Sequence, residues 1–175
     1  MIIIHDTRDQ AGKHKNVIDY LLQNGHEIVR SKMYVGDIAL LSNQSVCIDL
    51  KGLGLQEVYS NLVQQHDRFK AECVRARDAS VRLIILVEEK DVHDLDGVAT
   101  WDNPRIRQYA DLVMAHSRGK RLSKKLPSRP PISSQRLCNM MRVMSARYGV
   151  EWQFCRKEDA GKRVVEILQG GGGLG

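Results

Sequence analysis

Hydrophobic and polar positions recur with a period of two in some short stretches of the chain and near 3.6 in others, and the two kinds of stretch interleave. Met1 to Asp6 is an apolar run of strand length, and Lys13 to Asn24 places Val17, Leu21 and Leu22 at helical spacing before a stop at Gly25. Ile28 falls on the next strand. Two β-patterned runs follow, in the strings VGDIAL and VCIDLKG. Leu55 to Ala79 then carries Val58, Leu62, Phe69, Cys73 and Ala76 on one side, the stripe of one long core-facing helix. Val81 to Val87 reads as a buried strand, Ile106 to His116 as a helix and Ser134 to Tyr148 as a stronger one stopping at Gly149. Val150 to Cys155 is a strand, and Asp159 to Gln169 a terminal helix with Val164, Val165 and Leu168 inward. This interleaving predicts an α/β fold with a mixed sheet and no internal repeat. The segment from Asp91 to Ser133, with Pro127, Pro130 and Pro131, is the least regular, and is where loops would select a substrate.

Within the second β-patterned run, Val46, Ile48 and Leu50 alternate with Cys47, Asp49 and Lys51. The pleat therefore turns the apolar set to the core and puts Asp49 and Lys51 together on the other face. Leu50 is expected to be a packing residue. Asp37 joins Asp49 only if the hairpin register sets them opposite each other, which a three-residue loop Ser42-Asn43-Gln44 achieves and a two-residue turn does not. An odd loop or a bulge is therefore expected.

Two carboxylates and an ammonium on one face suit phosphodiester hydrolysis, which builds negative charge on a phosphate that is already anionic. A hard divalent cation held by carboxylate oxygens offsets that charge, and Asp37 and Asp49 would be its ligands, with Mg²⁺ or Mn²⁺ as the ion. Lys51 would orient or help deprotonate the attacking water. The competing reading makes Gly36-Asp37 a plain turn and Asp49-Lys51 a surface pair, since so short a motif also arises by chance.

Charge changes the picture more by its distribution than by its total. The net charge is +6 with a sequence pI of about 9.3. Arg118, Lys120, Arg121, Lys124, Lys125, Arg129, Arg136 and Arg142 fall in a stretch without an acid, just after the acidic run of Glu88, Glu89, Asp91, Asp94, Asp96 and Asp102. That polarity predicts a patch for a phosphate backbone, with Lys120, Arg121, Lys124 and Lys125 at its centre; the alternative is a solvated loop. Cys47, Cys73, Cys138 and Cys155 show no paired spacing and read as free thiols. The N-terminal run lacks the features of a signal peptide and no stretch reaches membrane-span length, so a cytoplasmic protein is expected, folded as a single domain over 1–169 with a Gly-rich tail at 170–175.

The six histidines show no paired ligand spacing; His66, before Asp67 and Arg68, is the one nearest the expected site. Asn103 and Pro104 look like the cap and first turn of a helix, and Trp101 would either stack on a base or anchor the irregular segment. Met140, Met141 and Met144 at helical spacing read as core or partner surface.

The order of these strings, IIIHDTRD, VGDIAL, CIDLKG and HDRFKAEC, resembles the XPF-type branch of the PD-(D/E)xK nucleases through Asp6, Arg8, Asp9, Gly36, Asp37, Asp49, Lys51 and Arg68. The resemblance implies an α/β, restriction-endonuclease-like mixed central sheet flanked by helices. It also implies a Mg²⁺- or Mn²⁺-dependent DNA endonuclease, in a stand-alone form of the kind found in bacteria and phages, that acts on structured or single-strand-containing DNA in repair, recombination or replication. It puts Asp6 beside the metal with catalytic Asp37, Asp49 and Lys51, and makes Arg8 and Arg68 substrate contacts; the other reading of Asp6, an acid at the end of a strand, is a helix or turn cap. Two departures stand out. Leu50 replaces the family's arginine, and Leu55 its downstream acid, with Glu57 as the nearest substitute. Alternatives on the same fold are a DNA-binding module without turnover and a homodimeric four-way-junction resolvase; homodimer and heterodimer both remain open.

Overall fold

A computed structural model describes residues 1–9, 12–120 and 127–170. Its centre is a six-stranded mixed sheet in the order β2-β1-β3-β4-β5-β6. In chain order the strands are β1 (Ile2–Asp6), β2 (Glu27–Ser31), β3 (Ile38–Leu40), β4 (Val46–Lys51), β5 (Arg82–Glu88) and β6 (Glu151–Cys155). β3 runs antiparallel to β1 and β4, and the remaining pairs are parallel. The helices are α1 (Lys15–Gln23), α2 (Leu55–Tyr59), α3 (His66–Asp78), α4 (Pro104–Ser117), α5 (Ser134–Tyr148) and α6 (Ala160–Leu168). Among the described residues, no helix is long and apolar enough to cross a membrane.

Strand alternation divides the core in two. On one face Ile3, Ile38, Ile48, Leu50, Ile84 and Leu86 pack with Val17 and Leu21 of α1 and Val164 and Ile167 of α6. On the other, Ile4, Ala39, Cys47, Ile85 and Val87 pack with Leu55, Val58, Leu62, Phe69 and Cys73 and with Leu137 and Met141 of α5. Leu50 is wholly buried among the first set, as its place in the alternation requires. The four cysteines are free.

The stretch from Leu55 to Ala79 is not one helix. α2 ends at Tyr59, a π-helical turn covers Ser60–Gln64, and Gln65 leaves helical geometry at φ −121°, ψ 31° before α3 begins. The apolar stripe shows why. Between Leu62 and Phe69 the positions that should continue it are Gln65 and His66, both exposed, so nothing holds a continuous helix against the sheet there. The caps inferred at the later helices are formed: Asn103 accepts the Arg105 N–H at 3.0 Å with Pro104 in the first turn, and Gly149 closes α5 at φ 69°. Trp101 packs half-buried against the core, as an anchor does, and its carbonyl accepts the Ser134 hydroxyl at 2.6 Å.

Candidate active site

The hairpin register decides which side chains meet. Ile38 lies across from Ile48 and Ala39 from Cys47, which centres the connection on Asn43 and carries Asp37 to the level of Asp49. On the other side His5 pairs with Ile38, which brings Asp6 to the same level. Three acids from neighbouring strands thus form a row across the sheet, at the end of β1, just before β3 and within β4. Regular pairing stops there: the Asp37 N–H donates to the Ile48 carbonyl at 2.8 Å, its carbonyl accepts the Asp6 N–H at 2.8 Å, and its carboxylate Oδ2 accepts the Leu50 N–H at 2.9 Å. The side chain of Asp37 takes the place of a ladder carbonyl. Gly36 makes this bend possible, since it holds φ 69° with an added Cβ only 3.0 Å from the Ile48 carbonyl oxygen.

Asp49 and Lys51 share a face and bond each other: Lys51 Nζ lies 2.7 Å from Oδ1 and 2.6 Å from Oδ2. Only the first contact has hydrogen-bond geometry, which leaves Oδ2 buried without a hydrogen-bond partner. Asp49 is 4% and Lys51 5% exposed, so this is a buried pair, contrary to the surface-pair reading. Burial pushes the Lys51 ammonium down, but the charge and hydrogen bond of Asp49 and the charge of Asp37 hold it above its ordinary value. The ammonium of Lys51 thus stands against Asp49, placed to offset negative charge in the cleft. Its ammonium also lies 5.7 Å from the centre of the Phe69 ring. Asp37 goes the other way: burial and then the neighbouring Asp49 carboxylate push it well above the carboxylate range.

These groups line a cleft of about 310 Å³ together with Asp6, Arg8, Asp9, Lys13, Glu57, Asn61, Arg68, Glu72 and Arg75. Asp6 is in the row, but its oxygens face Arg8, which bonds them through its backbone N–H at 2.8 Å and its guanidinium. Burial raises the Asp6 carboxyl, and these contacts outweigh it and bring it below its ordinary value. Arg8 bridges onward to the Met33 carbonyl at 2.7 Å. Arg68 is exposed at the rim, where its guanidinium donates to Gln65. Glu57, the nearest substitute for the absent acid, does reach the cleft, bonded to Lys13 at 2.9 Å, whereas Leu55 is core. His66 lies elsewhere, in an apolar groove beside Leu62 and Met140. Lys120 is exposed and does not line the cleft; Arg121, Lys124 and Lys125 lie outside the described residues.

Glu72 was not foreseen. Its Oε1 accepts the Gly36 N–H at 2.9 Å, which ties α3 to the bend carrying Asp37. Burial and then the charge of Asp49 raise its carboxyl above the ordinary value. Arg68, Glu72 and Arg75 follow helical spacing, so the expectation for Arg68 already implied that Glu72 shares its face.

The donor set fits a hard divalent cation: the carboxylates of Asp37 and Asp49 converge, Asp49 Oδ2 is buried without a hydrogen-bond partner, and burial followed by the charge of Asp49 raises the Asp37 carboxyl, a strain that a bound cation would relieve. As the side chains stand, no three acidic, imidazole or thiol groups among the described residues are close enough to share an ion.

The class of fold is settled by comparison with solved structures. XPF from Aeropyrum pernix superposes with a TM-score of 0.60 at 15% identity, over 96% of this chain and 63% of that one. The same protein in complex with DNA superposes with a TM-score of 0.50 at 15% identity, over 95% and 62%. The chain has the restriction-endonuclease-like fold of these structures and spans just under two thirds of their length. No family model and no curated protein matches it.

Proposed function

We propose that this chain is a divalent-metal-dependent DNA endonuclease. The observation that carries the reading is the row of Asp6, Asp37 and Asp49 with Lys51 against it, in a cleft rimmed by Arg8, Arg68 and Arg75. Asp37 and Asp49 would hold Mg²⁺ or Mn²⁺, which when bound polarises the phosphate and acidifies a water. The protein's own share is definite. Lys51, charged and fixed beside Asp49, offsets the negative charge that develops on the phosphate. Arg8, half-exposed and held by Asp6, presents a guanidinium at the mouth, and Arg68 extends the positive rim. Asp6 acts as the holder of Arg8. The basic segment at Lys120, Arg121, Lys124 and Lys125 would add sequence-independent grip on the DNA backbone.

The likeness to a structure solved with DNA supports the class of substrate, and the proposal extends to structured or single-strand-containing DNA in repair, recombination or phage replication. A second reading, a DNA-binding module without turnover, is favoured by one observation: both oxygens of Asp49 face Lys51. Incubation with labelled single-stranded, duplex, flap, fork and four-way DNA, with Mg²⁺, with Mn²⁺ and with chelator, separates the two. The endonuclease reading requires cleavage in metal that chelator stops and Asp49→Asn removes while binding persists. Binding without cleavage on every substrate would support the module, and symmetric dual incision by a dimer would support a junction resolvase.

A further inference from the structure

Glu72 does more in this cleft than hold a loop. One oxygen, Oε1, accepts the N–H of Gly36, the residue before Asp37, and the carboxyl lines the same cleft as Asp37 and Asp49. Asp49 is the charge that acts on it most strongly. Asp49 in turn is nine-tenths buried with Oδ2 lacking a hydrogen-bond partner, in the cleft that Glu72 also lines. Nearby acids are matched by other cations, Asp6 by Arg8 and Glu57 by Lys13. Asp37, Asp49 and Glu72 when ionised carry three negative charges against the single positive charge of Lys51. The deficit equals the charge of one divalent cation. Arg75, one turn along α3, also acts on Glu72, but from its own helix at the rim.

We propose that Glu72 is the third carboxylate of the divalent-cation site, a ligand supplied by α3 to the two that the sheet supplies. This rests on the reading that Asp37 and Asp49 hold the ion. Glutamate has one rotatable bond more than aspartate, so Glu72 is the side chain best able to close the gap that separates the three carboxyls. A site completed by α3 also couples the helix carrying Arg68 to the ion, so that metal binding and the positive rim are organised together.

The test is Mn²⁺ titration calorimetry on the full chain, with thermal melts in chelator alongside. Glu72→Gln keeps an oxygen for the Gly36 N–H and loses only the charge, so its melting temperature should stay near that of the wild type. Its Mn²⁺ affinity should fall about tenfold or more, as should that of Asp49→Asn. Glu72→Asp, which keeps the charge on a shorter stem, should bind Mn²⁺ more tightly than Glu72→Gln; the reverse order overturns the proposal. Wild-type affinity in Glu72→Gln also overturns it, and if Asp49→Asn has meanwhile lost Mn²⁺, the assignment of Asp37 and Asp49 stands. Loss of affinity in Glu72→Ala but not in Glu72→Gln reduces Glu72 to a positioning residue. A wild-type chain that takes up no Mn²⁺ removes both readings.

Discussion

The two faces of β4 are buried almost equally and filled in opposite ways. Val46, Ile48 and Leu50 meet the aliphatic side chains of α1 and α6, whereas two residues on the other face, Asp49 and Lys51, are ionised or ionisable and lie under α3. Apolar burial on the first face contributes about 25 cal/mol per Å² removed from water, and buried charge on the second opposes folding unless it is matched. One strand thus carries both the stability and the chemistry. Fixing Asp49 and Lys51 in a preorganised arrangement depends on the rigidity that Ile48 and Leu50 provide.

The largest expected effect comes from moving charge to the apolar face. Leu50→Arg would bury an unpaired guanidinium, a cost of several kcal/mol, on the order of the whole folding stability of a domain, so little folded protein should be recovered. Leu50→Ala should instead lower stability by about 2–5 kcal/mol in urea denaturation. Equal stability of Leu50→Arg and wild type would mean that the two faces have been confused.

Removing charge from the polar face comes next. Lys51→Met leaves Asp49 without its cation beside Asp37 and Glu72, and should cost about 3–5 kcal/mol in denaturant melts at neutral pH. Lys51→Met combined with Asp49→Asn should recover part of that loss. If the double variant is no better than the single, the ion pair is not what Lys51 contributes.

His14 offers a test through pH. It is buried beneath the loop after β4, where Cβ at Gly52 would come within 3.2 Å of its Nδ1, and neither ring nitrogen has a hydrogen-bond partner. Burial drives its pKa from 6.5 to about 4, against the opposing pull of Asp9, with Lys13 assisting and Glu57 and Asp49 resisting. The unfolded chain then takes up this proton first. Stability from neutral His14 is complete above pH 6.5 and is lost as pH falls from 6.5 towards 4, by at most about 3 kcal/mol. His14→Leu should flatten the stability profile across that window relative to wild type; parallel profiles would show that folding does not shift the His14 pKa.

The smallest effect has the opposite sign. Asp37 retains its proton above the ordinary carboxylate range, so its contribution to folding becomes less favourable as pH rises through that range. Asp37→Asn keeps an acceptor for the Leu50 N–H without that penalty. In chelator it should melt higher by about 2–4 °C, the response to roughly 1 kcal/mol, while losing cleavage. A lower melting temperature would mean that Asp37 is ionised and satisfied as it stands.

What the chain reveals in advance depends on how local the cause is. The alternation around Leu50 and the odd connection centred on Asn43 are local, and together they foretell that Asp37 and Asp49 face each other. The Asn103 cap and the Gly149 stop are local too. Other features depend on what packs from a distance. The stripe from Val58 to Ala76 looks continuous until Gln65 and His66 are placed on it, and then the break between the π-helical turn and α3 follows. Glu72 was hidden because its partner Gly36 lies 36 residues away. Asp6 stands in the acidic row as expected, yet its own neighbour Arg8 takes its oxygens, an outcome of turn geometry that residue types alone do not dictate.

The central claim is that Asp37 and Asp49 converge to hold a catalytic cation. It is tested most directly by anomalous scattering from crystals of the chain equilibrated with Mn²⁺. The account predicts one strong anomalous peak in the cleft, within coordination distance of carboxylate oxygens of both Asp37 and Asp49, with Lys51 displaced from at least one oxygen of Asp49. Manganese bound only elsewhere, or a cleft in which Lys51 keeps both Asp49 oxygens at saturating Mn²⁺, would contradict it.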